Sequence, residues 1–215
     1  SISSPLCHIF NLSFKKGIFP EPLKTSKVIP IFKKGDKESL DNYRPISLLS
    51  PISKLLEKLM FNRITSFFNK HHVIHSNQFG FKANSSTDLA LINLTQQLLQ
   101  QVNNKHLTVG VFIDLSKAFD TINHDILLNK ISHYGIRGTA HLWFVNYLKD
   151  RRQLVSLGNT NSTLRAISIG VPQGSILGPL LFNIFVNDIF ETSKLLFTIL
   201  YADDTNLFYS GNSID

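Results

Sequence analysis

The stretch Leu200-Tyr201-Ala202-Asp203-Asp204-Thr205-Asn206-Leu207-Phe208-Tyr209 sets two adjacent carboxylates between two strand-like runs. Ahead of it stands the largely apolar run Leu195-Leu196-Phe197-Thr198-Ile199. Successive residues of a strand point to opposite faces, so both acids reach one side only if the backbone turns there. The flanks therefore predict a short hairpin with Asp203 and Asp204 at its tip. Neighbouring carboxylates repel each other and lose hydration on burial, so a compensating charge is expected. A divalent cation supplies one. An ordinary solvated turn is the competing reading of the pair taken alone.

A third acid supports the cation. Asp114 closes the run Thr108-Val109-Gly110-Val111-Phe112-Ile113, which reads as a buried strand. If that strand neighbours the hairpin, Asp114, Asp203 and Asp204 converge on one solvent-facing spot. Hard oxygen donors suit Mg²⁺, which keeps several waters and shares its other positions with substrate phosphates. A pair of such ions would activate a 3′-hydroxyl and stabilise a leaving pyrophosphate oxygen.

Composition is compatible with this. The chain has 215 residues, 43% of them hydrophobic, enough for one large domain or two small ones. Its net charge of +7 favours a polyanionic partner, nucleic acid before anionic membrane. Cys7 is the single cysteine, so no internal disulfide and no cysteine-based zinc site can form. No apolar run reaches the length of a membrane span, and no stretch reads as a secretory leader. The chain begins with Ser1, as a piece of a longer protein would.

Helices and strands alternate irregularly, which predicts an α+β fold. A strand is expected over residues 27–32, followed by the charged loop Lys33-Lys34-Gly35-Asp36-Lys37. Ile52, Leu55, Leu56, Leu59, Met60, Ile64, Phe67 and Phe68 mark a helix over 51–70. A second helix spans 87–103, capped by Ser86 or Thr87. Further helices are expected near 124–134 and 138–149, and short strands near 153–157 and 164–169. A last helix should run from about Ser175 to Phe190, with Pro179 tolerated in its first turn. Asp150-Arg151-Arg152-Gln153 reads as a solvated charge run at a helix end. His71, His72 and His75 lack an accompanying acid or cysteine at ligand spacing and carry no zinc reading.

The motifs taken in order resemble a known family. Phe112 to Asp120 is similar to the first palm motif of reverse transcriptases, Gly170 to Pro179 to the second, and Tyr201-Ala202-Asp203-Asp204 to the third. Asn42-Tyr43-Arg44-Pro45-Ile46-Ser47-Leu48-Leu49 and Gln78-Phe79-Gly80-Phe81-Lys82 resemble finger motifs of the non-LTR, LINE-type branch. Lys82 stands where arginine is common, which keeps the charge and loses the planar fork. The resemblance covers about residues 17–211.

It implies the fingers and palm of a right-hand polymerase, with an antiparallel palm sheet and packed helices, that extends a DNA primer on an RNA template using dNTPs. After an N-terminal extension over 1–25, the fingers would take about 26–86 and 121–165, and the palm about 87–120 and 166–215. No thumb is expected within these residues, and weak extension by this chain alone follows. Asp114 and Asp203, with Asp204 beside them, would hold two Mg²⁺ ions, which Mn²⁺ could replace. Phe119 matches the bulky residue that excludes a ribose 2′-hydroxyl, with a plain core aromatic as the alternative. Gln173 and Gly174 match the loop at the incoming nucleotide, and Lys117 belongs to the same substrate set. Arg44, with Lys33 or Lys34, would bind the triphosphate. The location implied is intracellular, nuclear or cytoplasmic. Rival readings are a non-catalytic remnant that at most binds RNA and, against the evidence of Phe119, an RNA-templated RNA polymerase.

Overall fold

The computed structural model describes residues 2–213. The chain divides into two compact units, residues 1–66 with 119–181, and residues 67–118 with 182–215.

The first unit opens with helix α1 (Ser3–Lys16), closed by Gly17 at a φ of 67°. A Cβ at Gly17 would lie 2.9 Å from the Thr139 carbonyl, so the turn requires glycine here. Phe19 then enters an aromatic cluster with Trp143 and Tyr147 of helix α5 (Gly138–Leu148), and all three are fully buried. The Trp143 indole N–H donates to Ser13 Oγ, so its polar edge is satisfied inside the core. The N-terminal residues are thus a packed part of this unit.

Its sheet contains β1 (Thr25–Phe32), β2 (Tyr43–Leu48), β4 (Arg151–Leu157), β5 (Thr160–Asn161) and β6 (Arg165–Ile167). Strand β1 pairs antiparallel with β2 and parallel with β4, while β5 and β6 pair antiparallel with β4. Helix α4 (His124–His133) is capped by the Asn123 side chain, which accepts from Ile126 N.

The second unit is built on an antiparallel sheet of β3 (Leu107–Asp114), β8 (Asp204–Gly211) and β7 (Leu196–Tyr201), in that order. Helix α3 (Thr87–Asn103), capped by Ser86, packs on one face. Ala90 meets Ile199 and Phe208 there, with Leu94 and Leu98 alongside. Gly110 faces Phe208 across the β3–β8 pair, where a Cβ would come 2.8 Å from the ring. A side chain at 110 would displace that aromatic.

Helices α2 (Pro51–Lys70) and α6 (Gly178–Val186) contribute residues to both units. Three expectations need correction. The α2 stripe is rotated: Ile52, Leu55 and Leu59 are exposed, and the buried positions are Ser53, Leu56, Glu57, Met60, Ile64 and Phe68. Strand β3 is an edge with both faces largely open, Phe112 being 71% exposed; an apolar run shows strand propensity but not whether a neighbour covers it. The last helix ends at Val186 and continues as a 3-10 turn over Asn187–Glu191.

Candidate active site

The acidic hairpin forms, but its turn falls one residue earlier than the sequence predicts, with Asp204 already in β8. Tyr201 pairs with Asp204, leaving Ala202 and Asp203 as a two-residue turn between β7 and β8. Ala202 has a φ of 58°, a conformation that costs a non-glycine residue about 1–2 kcal/mol. Asp114 lies directly opposite Asp204 on β3, so these two carboxylates share one face of the sheet. Both are exposed, and Asp203 is partly exposed in the turn.

Like charges directly opposite on a sheet repel, so this pairing is a local cost with no structural return. Beside the acids opens a cavity of about 460 Å³, with Ala90, Leu94, Phe112 and Ile199 in its wall and Asp114 and Asp204 at its margin. An apolar wall lowers the local dielectric and strengthens attraction of a cation to the acids. The donor type fits Mg²⁺, but among the described residues no three His, Cys, Asp or Glu side chains are already gathered closely enough to hold an ion. Of the three acids expected to converge, the strand register brings Asp114 and Asp204 face to face, and Asp203 stands in the adjoining turn.

The turn is braced from behind by residues 77–80. Leu200 N donates to Asn77 O at 2.9 Å, and Phe79 N donates to Leu200 O at 2.8 Å. The Gln78 side chain, 1% exposed, accepts from Gly80 N at 2.8 Å and from Ala202 N at 3.2 Å. Asn183 Nδ2 donates to Gly80 O at 3.0 Å, and Asn77 Nδ2 to Thr198 O at 3.0 Å. Lys117, which follows β3 at a φ of 55°, is exposed.

The other residues singled out in the sequence belong to the first unit. The loop over 170–175 is pinned by close backbone approaches. Gly170, at a φ of 82°, would place a Cβ 2.7 Å from the Asp120 carbonyl, and Gly174, at 108°, one 2.8 Å from the Ser47 carbonyl. Ser47 N donates to Gln173 O at 2.7 Å, and Val171 N to Phe119 O at 2.9 Å. The Gln173 amide donates to both Asp120 carboxylate oxygens at 3.1 Å, which fixes its orientation. Gln173 and Asp120 line a cavity of about 270 Å³ with Val28, Pro45 and Ser47. Phe119 is half-buried. Arg44, opposite Ile31 on the β1–β2 pair, is exposed, as are Lys33 and Lys34 just past the end of β1.

One brace went unread in the sequence. Glu57 is fully buried, and its Oε2 accepts from Ile176 N at 2.8 Å and Leu177 N at 3.4 Å, holding the start of α6 just after the Gln173 loop. Its Oε1 accepts from the Tyr147 hydroxyl at 3.2 Å and from Ser53 Oγ at 3.4 Å. Burial lifts its pKa above the ordinary 4.5, against the pull of the Ile176 amide and the Arg151 charge. Burial also raises the Tyr147 hydroxyl, with the Glu57 charge adding to the effect.

Arg151 corrects the solvated reading of residues 150–153. It is 0% exposed, donates to Tyr147 O at 3.2 Å and stacks 4.8 Å from the Tyr147 ring. A run of charges in sequence does not tell which guanidinium the β4 strand will turn inward. Glu57 was detectable, since Ser53, Glu57, Met60 and Ile64 recur at helical spacing on the buried stripe.

Comparison with known proteins gives a consistent picture. A family model described as Reverse transcriptase (RNA-dependent DNA polymerase) matches residues 31–214. The chain is 36% identical to a Drosophila melanogaster protein named as the probable RNA-directed DNA polymerase from transposon BS, over 96% of this chain and 24% of that protein. It is 34% identical to the RNA-directed DNA polymerase from mobile element jockey of the same fly, over 97% of this chain and 24% of that protein. It thus spans about a quarter of the length of the curated relatives it matches. In fold it is similar to the apo telomerase of Candida tropicalis truncated of its C-terminal domain, with a TM-score of 0.63 at 14% identity, over 100% of this chain and 49% of that one.

Proposed function

This chain belongs to the reverse transcriptase (RNA-dependent DNA polymerase) family, in its non-LTR retrotransposon branch, and on that premise we propose that it carries the nucleotidyl-transfer site of such an enzyme. It adds dNTPs to a DNA primer on an RNA template. The observation that carries this reading is the facing of Asp114 and Asp204 across β3 and β8, with Asp203 in the adjoining turn. A repulsive pair of this kind makes sense where a cation is to be received.

Asp114, Asp203 and Asp204 are the residues that would hold Mg²⁺, or Mn²⁺ in its place. Bound there, two such ions would supply positive charge to the primer 3′-hydroxyl and to the leaving pyrophosphate oxygen. The other roles fall to this chain's own side chains. Arg44, with Lys33 or Lys34, binds triphosphate oxygens. Gln173, oriented by Asp120, contacts the incoming nucleotide from the glycine-bounded loop. Phe119 fills the space a ribose 2′-hydroxyl would need, and Lys117 adds positive charge on the substrate side. We read the unit that holds the acids as the core of a palm, and the β1–β2 hairpin with its basic end as fingers.

The test is primer extension on an RNA template with Mg²⁺ and dNTPs, beside Asp203→Asn. The variant should lose at least about a hundredfold in rate, the scale for removing a group that stabilises transition-state charge. Extension unchanged by Asp203→Asn would overturn the assignment, and silence both from this chain and from the full-length protein, each folded, would favour the RNA-binding remnant.

A further inference from the structure

We propose that Gln78 is a positioning residue for Asp203, acting through the backbone of Ala202. One neutral amide brackets both polar groups of the residue that precedes the acid. Gln78 Oε1 accepts from Ala202 N at 3.2 Å, and Gln78 Nε2 reaches Ala202 O at 3.5 Å. The second lone pair of Oε1 takes the Gly80 N–H at 2.8 Å.

Ala202 needs such a clamp for two reasons. Its φ of 58° is one that alanine rarely adopts, and hairpin turns ordinarily place glycine, asparagine or aspartate there. Left to its own preference, an alanine turn would populate other geometries on the order of tenfold more, and Asp203 would swing with it. Ala202 is also only 7% exposed, so its N–H and C=O cannot turn to water for partners.

The clamp is itself held in place. The hydrogen bonds of Asn77 O and Phe79 N to Leu200 lay residues 77–79 along β7 as a short added strand. Gly80 then passes so close that a Cβ on it would sit 1.9 Å from Ala202 N. Asn183 grips the Gly80 carbonyl. The motif Gln78-Phe79-Gly80 therefore acts on the acidic turn as a unit: Gln78 supplies donor and acceptor, and Gly80 supplies the close approach.

The residue type matters as well as its reach. A carboxylate at 78 could accept both N–H groups, but it would lose the donor to Ala202 O and add a charge close to Asp203 and Asp204. Like charge nearby disfavours the ionised acids that a cation requires. Gln78 braces the turn without entering their electrostatics. It has no reacting atom to touch, so its effect should fall on turnover and leave dNTP binding alone.

The kinetic arm of this inference rests on Asp203 being catalytic, whereas the backbone arm does not. Both are measured in the protein as its gene encodes it, for wild type, Gln78→Leu, Gln78→Glu and the double variant Gln78→Leu with Ala202→Gly. Hydrogen exchange reads the Ala202 amide, and primer extension gives kcat and KM for dNTP. Gln78→Leu should speed exchange at Ala202 at least about tenfold and lower kcat by about ten- to a hundredfold at unchanged KM. Adding Ala202→Gly should recover part of kcat, because glycine takes positive φ without penalty. Gln78→Glu, nearly the same in shape, covers the case in which the leucine variant fails to fold; it should keep Ala202 protected and still lose kcat. Unchanged exchange in Gln78→Leu, or a loss borne by KM and untouched by Ala202→Gly, overturns the proposal. If wild type is inactive while Gln78→Leu still deprotects Ala202, the brace stands and the catalytic reading of Asp203 falls.

Discussion

The two units hold their site segments by opposite chemistries. Behind the acidic turn the braces are neutral amides: Asn77, Gln78 and Asn183 each bond backbone groups of residues 80–202. Behind the Gln173 loop the brace is a buried carboxyl group, Glu57, bonded to Ile176 N and to the Tyr147 hydroxyl, its pKa raised by burial against the pull of the Ile176 amide and the Arg151 charge. That carboxyl group takes four donors on two oxygens, so one side chain ties the start of α6 to α2 and α5. When ionised it also imposes a field on whatever lies near it. The unit that carries Asp114, Asp203 and Asp204 is braced by side chains that do not titrate, while the unit that carries Gln173 is braced by one that does.

This contrast can be broken, and the largest effect is expected at Glu57. Glu57→Ala leaves the Ile176 and Leu177 N–H groups and the Tyr147 hydroxyl in a dry core without their acceptor. Denaturant unfolding should show a loss of about 3–5 kcal/mol, the scale for leaving several buried donors unsatisfied. A loss below about 1 kcal/mol would mean the carboxylate is not the brace.

The neutral side breaks by shape. Gly80→Ala puts a methyl group on top of Ala202 N, where backbone meets backbone and no flexible side chain can yield. A loss of about 1–3 kcal/mol is expected from such overpacking, together with a displaced hairpin. Thermal unfolding reads the first and amide exchange at Ala202 the second.

The smallest effect sharpens the comparison through pH. Burial raises the Glu57 pKa above 4.5, so the folded protein holds that proton more tightly than the unfolded chain. The resulting stability is fully present below 4.5 and is lost as pH rises through the raised folded value. Wild type should therefore lose stability relative to Glu57→Gln across that window, as urea midpoints at a series of pH values would show. The amide braces titrate nowhere in it, so Gln78→Leu should lie parallel to wild type. A wild-type curve that instead rises against Glu57→Gln would put the carboxylate in an environment that favours its charge.

Local pattern carried much of this fold. The helical spacing of apolar residues over 51–70 and 87–103, and the Ser86 cap, were enough to place α2 and α3 at their observed ends. The adjacent acids demanded a turn, and β7 and β8 make it at residues 202 and 203. What was not legible depended on distant partners. Arg151 looked like one solvated charge among several and is enclosed by Phe19 and Tyr147. Gln78 looked like part of a finger motif, yet its side chain reaches a residue 124 positions away.

The sequence by itself determined which residues are acids, where α2 and α3 start, and that the chain must turn near residue 203, because those follow from side-chain period, capping and backbone preference over a few residues. Only the tertiary structure decided that Asp114 faces Asp204, that Ala202 is held in a conformation it does not prefer, and that Glu57 enters the core charged or protonated according to its neighbours. Strand register, and the hydrogen-bond partner of a buried polar group, are set by whatever the rest of the chain brings against them, and no local window contains that information.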